Sequence, residues 1–171
     1  MPYFIGIDPG ASAGFAIITA PDNVIAVSCK DNVKEAYKIL SKLKSNEVIV
    51  GIEAVHAIYG SSAASTFSFG VNKGKWVGVL EYLEIPYQEI SISDWQNTMT
   101  DSPERPSKKD LLPKDIAKAK KLHKETLKAE SYRSATLAFP SCRITSHDCA
   151  DAINIARYLK YCHEGNKKEC L

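Results

Sequence analysis

The sequence predicts a single α/β domain in which two buried strands each lead into an acidic residue. Residues 3–7 and 48–52 are short apolar runs, typical of strands that are buried on both faces of a sheet. Several longer stretches instead repeat apolar residues with the period of an amphipathic helix. A chain of 171 residues can form one domain with a real core but not two full-sized ones.

The remaining elements are predicted from their apolar patterns and from the turn residues that bound them. Further strands are predicted at residues 14–19, 24–28 and 86–92. Helices are predicted at residues 31–44, at 65–83, from Ser93 or Asp94 onward, at 115–138 with at most one break, and at 146–163. Residues 99–113 are expected to form a mobile loop, and residues 165–171 a frayed tail.

Asp8 follows the first apolar run and is itself followed by a Gly-rich turn. A charged side chain at the end of a buried strand is costly unless its charge is compensated, and a bound cation is the usual solution. The alternative is an Asp that merely begins the turn by bonding to its own backbone. This segment alone does not separate the two explanations.

Three further acids make a metal site the better explanation. Glu53 ends the second buried run as Asp8 ends the first, and Asp148 and Asp151 share one face of the first turn of the last helix. Oxygen ligands without obligatory His or Cys suit Mg²⁺ or Mn²⁺ rather than zinc. Two such ions about 4 Å apart can clamp both oxygens of a phosphodiester displacement. The alternative for Glu53 is an ordinary acid at the end of a strand. The alternative for Asp148 and Asp151 is that the helix dipole favours acids in the first turn of a helix.

Charge is distributed unevenly along the chain. The net charge is +2, but residues 105–133 contain ten basic and four acidic residues and carry +6, so that the remainder carries −4. Such asymmetry indicates a segment that faces a polyanion.

The five cysteines have no C-x-x-C spacing, so we expect reduced thiols rather than a disulfide framework or a zinc site. With no signal peptide and no membrane-spanning run, we expect an intracellular, cytoplasmic protein.

Several motifs, taken in order, resemble those of RuvC-type Holliday-junction resolvases. They are Ile-Gly-Ile-Asp-Pro-Gly at residues 5–10, Ile-Glu at 52–53 and Asp-Cys-Ala-Asp-Ala at 148–152. Residues 67–78 resemble the Gly-punctuated helix of this family, and residues 128–140 the helix before the final acidic pair. The likeness covers nearly the whole chain except roughly residues 98–122, which look like a basic insertion. In the middle segments it is closer to phage and chloroplast members, and this likeness implies a phage-encoded protein as one origin.

The resemblance implies a metal-dependent endonuclease with a ribonuclease-H-like fold, a five-stranded mixed sheet flanked by helices. It implies a homodimer that nicks a four-way DNA junction symmetrically and leaves 5′-phosphate and 3′-hydroxyl ends. The four acids would bind two Mg²⁺ ions per active site, with Mn²⁺ able to substitute, and no organic cofactor is expected. Lys128 would lie near the scissile phosphate, where a cation offsets transition-state charge, although Lys124 is only one helical turn away.

One position departs from the family pattern. Three residues after the second acid, the bacterial enzyme carries an aromatic wedge, and this chain carries His56. His56 could still stack on a base, or Tyr59 could take that role, and a solvated loop histidine is the alternative. His147 could assist the metal site, or could simply be exposed. The residues predicted to contact DNA are His56, Tyr59, Lys73, Lys75, Lys118, Lys121, Lys124 and Arg133.

The predicted homodimer interface is the long helix between Ser65 and Leu83. Symmetric incision needs two active sites in a fixed relation, and an isologous interface supplies them most simply. Three large apolar side chains would contribute to this interface, and three glycines would let a partner approach closely: Phe69, Trp76 and Leu80, with Gly70, Gly74 and Gly78. The alternative is that these aromatic side chains pack into the sheet of their own monomer.

Three other functions fit the sequence to different degrees. A related nuclease acting on other branched DNA or on RNA would use the same acids and basic segment, since phosphate contacts carry no sequence information. A DNA-binding protein without catalysis would gain nothing from four acids near phosphates. An actin-like ATPase also begins with an acidic loop after a strand, but it needs two such domains and a longer chain.

Overall fold

The structure is a computed structural model that describes residues 2–10, 12–29, 33–43, 47–54, 62–104 and 113–165. The strands are β1 (Tyr3–Asp8), β2 (Gly14–Ala20), β3 (Asn23–Ser28), β4 (Val48–Glu53) and β5 (Tyr87–Ile90). The helices are α1 (Lys34–Leu40), α2 (Ala63–Tyr82), α3 (Ile92–Met99), α4 (Pro113–Ala138) and α5 (His147–His163). Each predicted strand and helix has a counterpart among these elements.

The strands form one mixed sheet in the order β3-β2-β1-β4-β5. β2 pairs antiparallel with both β1 and β3, whereas β4 pairs parallel with both β1 and β5. β1 is therefore central, and its carboxyl end lies at the same edge of the sheet as those of β4 and β5. The predicted α/β architecture with a five-stranded mixed sheet is confirmed.

Alternating residues of the strands pack against two helical layers. Ile5 and Ile7 belong to the apolar core shared with α1 and α2, whereas Phe4 belongs to the core shared with α3, α4 and α5. β4 follows the same period-two alternation. Asp8 and Glu53 therefore end their strands on the α5 side of the sheet.

Two glycines bring the sheet directly against the backbone of α5. A Cβ at Gly6 in β1 would lie 2.0 Å from the carbonyl oxygen of Ala152, and one at Gly14 in β2 would lie 1.8 Å from that of Asp148. Side chains at these two positions are sterically excluded, as is common where backbones approach closely. This contact holds the first turns of α5 over the carboxyl end of β1.

Several predicted boundaries differ from the structure. α3 begins after Ser91, so Ser93 and Asp94 were the wrong choice of cap. α4 is continuous over its whole length, so it has no break and includes residues 113–122 of the predicted insertion. The start of α5 is as predicted, because the N-cap Ser146 accepts a hydrogen bond from the N–H of Cys149. Its end is also as predicted, at Gly165 with a positive φ of 81°.

α2 corrects part of the predicted dimer interface. Trp76 and Leu80 are both 0% exposed and belong to the monomer core, where Trp76 stacks on Phe15 with ring centroids 6.1 Å apart. These two side chains are therefore unavailable to a partner, and predicting them at an interface was wrong. Phe69 is 38% exposed and Phe67 73% exposed. The outward face of α2 therefore contains Phe67 and Phe69, whereas Trp76 and Leu80 lie on its inward face.

The structure also bears on two expectations from composition, which concern the cysteines and membrane-spanning segments. Cys29, Cys142 and Cys149 have free thiols, but Cys162 is disulfide-bonded, so the expectation of reduced thiols is wrong at that residue. Within the described ranges, none of the helices has the length and apolar composition that crossing a bilayer would require.

Candidate active site

Asp8 and Glu53 end two adjacent parallel strands. The last residues that pair between β1 and β4 are Ile7 and Ile52, so the two acids come next on neighbouring strands. Asp8 is 7% exposed, and its Oδ1 accepts a 2.8 Å hydrogen bond from the N–H of Gly10. Asp8 therefore does bond to the backbone of its own turn, as expected for an Asp that only begins a turn. That role does not explain why a second acid lies beside it.

Asp148 reaches the same place from α5. Its Oδ2 accepts a 2.8 Å hydrogen bond from the N–H of Ser12, in the turn that follows β1. Gly10 lies between the two aspartates, since a Cβ there would be 3.0 Å from Oδ2 of Asp148 and 3.1 Å from Oδ1 of Asp8. Asn72 of α2 donates a 3.3 Å hydrogen bond to the carbonyl oxygen of Gly10. Gly10 therefore leaves room for two carboxylates as well as allowing the turn.

Glu53 is held by a tryptophan that the sequence did not identify as part of the site. The indole Nε1–H of Trp95 in α3 donates a 3.1 Å hydrogen bond to Oε2 of Glu53. Trp95 is 0% exposed, so its ring cannot reorient without disturbing the core. An indole nitrogen that donates only is well suited to fixing a carboxylate. A lone Trp in a short amphipathic helix carried no signal beyond core packing.

Asp151 belongs to a buried polar network between α4 and α5. The hydroxyl of Ser131 donates a short hydrogen bond to Oδ1 of Asp151, and Ser131 is 2% exposed. Nδ2 of Asn154 donates to the hydroxyl and carbonyl oxygens of Ser131 at 3.0 and 2.9 Å. Nη1 of Arg157 donates in turn to Oδ1 of Asn154 at 2.7 Å. The network orients the Ser131 hydroxyl toward the carboxylate, and none of its three polar members beside Asp151 was predicted.

Burial and mutual repulsion raise the pKa values of three of the four carboxyl groups. Burial, followed by the charges of Glu53, Asp151 and Asp148, raises the pKa of Asp8 well above its usual range. Burial and the neighbouring Asp151 raise the pKa of Glu53 to about 7. Burial also raises the pKa of Asp151 to about 6. Like charges interact this strongly only at short range, so the four acids form one electrostatic cluster.

The chemistry of this carboxylate cluster fits a hard divalent cation. Every side chain in it offers oxygen, and buried like charges are stabilised by a cation between them. Each carboxylate also accepts a hydrogen bond from a protein donor, and these donors are Gly10, Ser12, Trp95 and Ser131. Among the described residues, no three His, Cys, Asp or Glu side chains are gathered closely enough to hold one ion. Shared coordination therefore requires some of these side chains to turn from their present donors.

The raised pKa values predict how stability depends on pH when a chelator is present. Glu53 and Asp151 bind protons more tightly in the folded protein than in the unfolded chain, where a carboxyl pKa is about 4. Their contribution to the free energy of unfolding is therefore complete below about pH 4 and is lost as the pH rises through about 6 to 7. Denaturant midpoints at several pH values should decline over this range.

Glu53→Gln is the matched variant for this measurement, because a glutamine oxygen can still accept the hydrogen bond of Trp95. The variant should show a smaller decline than the wild type between pH 4 and 7. Identical declines in the two proteins would contradict the raised pKa of Glu53.

Lys128 lies on α4 beside the carboxylate cluster. Its charge is among the influences that oppose the burial-driven rise in the pKa of Asp151, and its side chain is exposed. Four further lysines of α4 are also exposed: Lys118, Lys120, Lys121 and Lys124. Only Lys121 among these five has an ion pair with a described residue, a 3.9 Å contact with Glu125. We call these five lysines the α4 lysine surface.

Two other residues predicted to contact DNA are held in ion pairs. Nζ of Lys73 lies 2.6 Å from Oε1 of Glu89. Nη2 of Arg133 donates to both Asp101 and Glu130. Contacts from these side chains to phosphate would have to compete with acids of the same chain. Lys75, in contrast, is exposed on α2.

Of the residues predicted to assist the site or to act as a wedge, the structure describes only His147. His147 is exposed at the start of α5, and its ring lies edge-on to Tyr132 of α4 with centroids 5.8 Å apart. It therefore helps to pack α5 on α4, next to Asp148. His56 and Tyr59 lie outside the described residues, so their predicted wedge role remains a prediction.

Known structures share this fold, although sequence comparison finds no relative. No protein-family model matches the sequence, and no curated protein matches it significantly. The fold is similar to that of T. thermophilus RuvC in complex with a Holliday junction substrate, with a TM-score of 0.59 and 12% identity over 95% of this chain and 96% of that one. A second Thermus thermophilus RuvC structure gives a TM-score of 0.51 and 15% identity over the same shares. The predicted ribonuclease-H-like α/β fold is therefore confirmed.

Proposed function

We propose that this chain is a metal-dependent endonuclease that resolves four-way DNA junctions by paired, symmetric nicks. The observation that supports this most strongly is the carboxylate cluster: Asp8, Glu53, Asp148 and Asp151 come from three elements to one edge of the sheet. The same fold occurs in RuvC bound to a Holliday junction. Buried acids that repel one another reduce stability, so a role in cation binding explains them better than a role in folding.

In this proposal the four acids hold Mg²⁺, with Mn²⁺ able to substitute. The bound ions would supply a Lewis acid and an activated water at the scissile phosphate. Ser12, Trp95 and Ser131 donate hydrogen bonds to three of the carboxylates, and would act as positioning residues that limit their orientations. Orienting partners of this kind raise metal affinity by fixing the ligand geometry.

The α4 lysine surface would bind the phosphates that flank the cut. Lys128 lies nearest to the carboxylate cluster, as its influence on Asp151 indicates. A cation there would offset the negative charge that develops on the phosphate in the transition state. The more distant lysines Lys118, Lys121 and Lys124 would hold the DNA arm by phosphate contacts, which are independent of sequence.

A homodimer would place two such sites across the junction. The outward face of α2 contains Phe67 and Val71, which are 73% and 41% exposed, together with three glycines. Apart from the neighbouring residues and the nearby backbone of α2 itself, no atom of the described chain lies within 4 Å of a Cβ built at Gly70, Gly74 or Gly78. We propose that a second copy packs along this glycine face, which replaces Trp76 and Leu80 in the interface predicted from the sequence.

Gly74→Arg should convert this dimer to a monomer while raising the thermal stability of the fold. Arginine has a higher helix propensity than glycine by up to about 1 kcal/mol, but its side chain would occupy the space that a partner needs. Gly74→Ala is the matched control, since its methyl group is small and it should remain dimeric. Sedimentation velocity at micromolar concentration decides the outcome. A wild-type monomer with and without junction DNA would overturn the dimer.

The function itself is tested with labelled four-way, three-way, flap and linear duplex DNA and with an RNA–DNA hybrid. Each substrate is incubated with Mg²⁺ or with chelator. Paired nicks confined to the four-way junction, and absent with chelator, are expected. Cleavage of the other substrates instead would support a different branched-DNA or RNA nuclease, and tight binding without cleavage would support a DNA-binding protein. As a junction nuclease, the protein would act on DNA in the cytoplasm, a phage-infected cell being one setting.

A further inference from the structure

A cleft of about 630 Å³ opens between α3 and α4 next to the end of β4. This volume lies within the range of about 300 to 1,000 Å³ that is typical of small-molecule sites. α3 contributes residues spaced as one helical face, Ile92 with Gln96 and Ser93 with Asn97, and α4 contributes His123 and Leu127. The remaining lining residues are Ala54, Ser91, Ser102, Pro103 and Glu104. We call this site the α3–α4 cleft.

Three chain connections place the α3–α4 cleft beside the carboxylate cluster. Ala54 directly follows Glu53, and Gln96 directly follows Trp95, whose indole donates to Glu53. On the opposite wall, Leu127 directly precedes Lys128, whose charge acts on Asp151. The cleft lining therefore comes within one residue of Glu53, Trp95 and Lys128 along the chain.

The lining groups suit an uncharged ligand with a hydrogen-bonding edge. The described part of the cleft lining includes no Lys or Arg, and it includes the carboxylate of Glu104. The side-chain amides of Gln96 and Asn97 make no hydrogen bond within the described part of the chain, so their donors and acceptors are available. Ile92, which is 42% exposed, and Leu127 provide apolar surface for a flat ring.

We propose that the α3–α4 cleft binds an unstacked nucleobase adjacent to the scissile phosphate and reads its edge through Gln96 and Asn97. This inference rests on the proposed function, because it requires DNA at the carboxylate cluster. Phosphate would lie on the α4 lysine surface while the neighbouring base enters the cleft, whose described lining has no Lys or Arg. A primary amide can bond bidentately to a base edge, and Glu104 accepts only, which favours a base with an exocyclic amino group. The site would thus prefer adenine, cytosine or guanine, which carry an exocyclic amino group, to thymine, which carries none.

The test is a set of four-way junctions in which each position flanking the nick carries each of the four bases. With wild-type protein, the ratio of the fastest to the slowest cleavage rate should be largest at one position, where thymine gives the slowest rate. Gln96→Met and Asn97→Leu keep the side-chain volume but remove the amide. Each should reduce this ratio by about fivefold to 150-fold, the range that one good bidentate contact provides.

Thr98→Ala is the matched control, because Thr98 lies on the same helix and outside the cleft lining. It should leave the base ratio as in the wild type. Junctions with 2-aminopurine at the preferred position give a readout independent of cleavage. Binding should raise their fluorescence as the base leaves the stack, and Gln96→Met should reduce that rise.

Two results would overturn the base-binding cleft while leaving the proposed function intact. One is wild-type cleavage with equal rates for all four bases at every position. The other is a base ratio that survives unchanged in both Gln96→Met and Asn97→Leu. Absence of cleavage on every junction by the wild type would instead overturn the proposed function, so the two failures are distinguishable.

Discussion

Asp8→Asn should lower the rate of junction cleavage by at least about 10³-fold and leave junction binding nearly unchanged. A metal ion contributes several kcal/mol of charge stabilisation to the transition state, and each 1.36 kcal/mol corresponds to about a tenfold change in rate. An asparagine at this position can still accept the N–H of Gly10 but carries no charge for a cation. The proposed phosphate contacts on α4 would remain, so binding should persist.

The same substitution should make the protein more stable in the presence of chelator near neutral pH. Burial and three neighbouring acids raise the pKa of Asp8, so its ionised form destabilises the fold at that pH. Asparagine removes this charge at nearly equal volume. The thermal shift that Mg²⁺ produces in the wild type should also shrink, because the stabilisation by a bound ligand rises with the logarithm of its affinity. An acid retained only for folding would show the opposite change in stability.

Asp22→Asn provides the control for both measurements. Asp22 is exposed in the turn between β2 and β3, so its neutralisation should change neither cleavage nor the effect of Mg²⁺. Cleavage by Asp8→Asn at a rate close to that of the wild type would refute metal binding at the carboxylate cluster. A less stable Asp8→Asn protein in chelator would refute the electrostatic account of the cluster.

The fold and the meeting of the acids were predictable because both follow from local patterns. The period-two alternation of β1 and β4 assigns Asp8 and Glu53 to one side of the sheet. The three-residue spacing of Asp148 and Asp151 assigns both to one face of a helix. Bringing Asp8 and Glu53 together also requires that their strands pair in parallel. The unbroken apolar run of Val48–Glu53 indicated this pairing. Gly6 and Gly14 then allow α5 to approach these strands closely.

The contacts that orient the acids were not predictable, because each joins residues that are distant in sequence. Trp95 and Glu53 are 42 residues apart, and Asn154 meets Ser131 over 23 residues. Neither pair has a period or spacing that a single sequence reveals. For the same reason the composition of α2 did not distinguish Trp76, which is buried, from Phe67, which is exposed. Large apolar residues on a helix indicate burial without specifying what covers them.

Charge counting also overestimated the number of available cations. Lys73 and Arg133 were predicted to bind DNA from their charge, yet both are paired with acids. Exposed pairs of this kind are weak, about 0 to 1 kcal/mol, so they reduce rather than abolish a contribution to DNA binding. The lysines of the α4 lysine surface are therefore the better candidates, since only Lys121 among them has an ion pair with a described residue. The salt dependence of binding distinguishes the two groups.

Replacing Lys118, Lys120, Lys121 and Lys124 together by Gln should weaken binding to all DNA shapes and flatten its salt dependence. Each phosphate contact contributes about 0.9 to the slope of log K against log salt concentration, so losing four reduces that slope by about 3.6. When the salt concentration rises from about 50 to 200 mM, both proteins lose affinity. The fold-loss of the wild type should be about 150 times the fold-loss of the variant. Fluorescence anisotropy titrations on four-way and linear duplex DNA measure both slopes.

The control is the double variant Lys38→Gln and Lys42→Gln, which neutralises exposed lysines in and just after α1. That helix packs on the other side of the sheet from α4, so the slope should stay within experimental error of the wild type. If the four lysines of α4 were only a solvated helix face, their removal would leave the slope equally unchanged. A loss confined to the four-way junction would also contradict the proposal, because contacts to phosphate are made with every DNA shape.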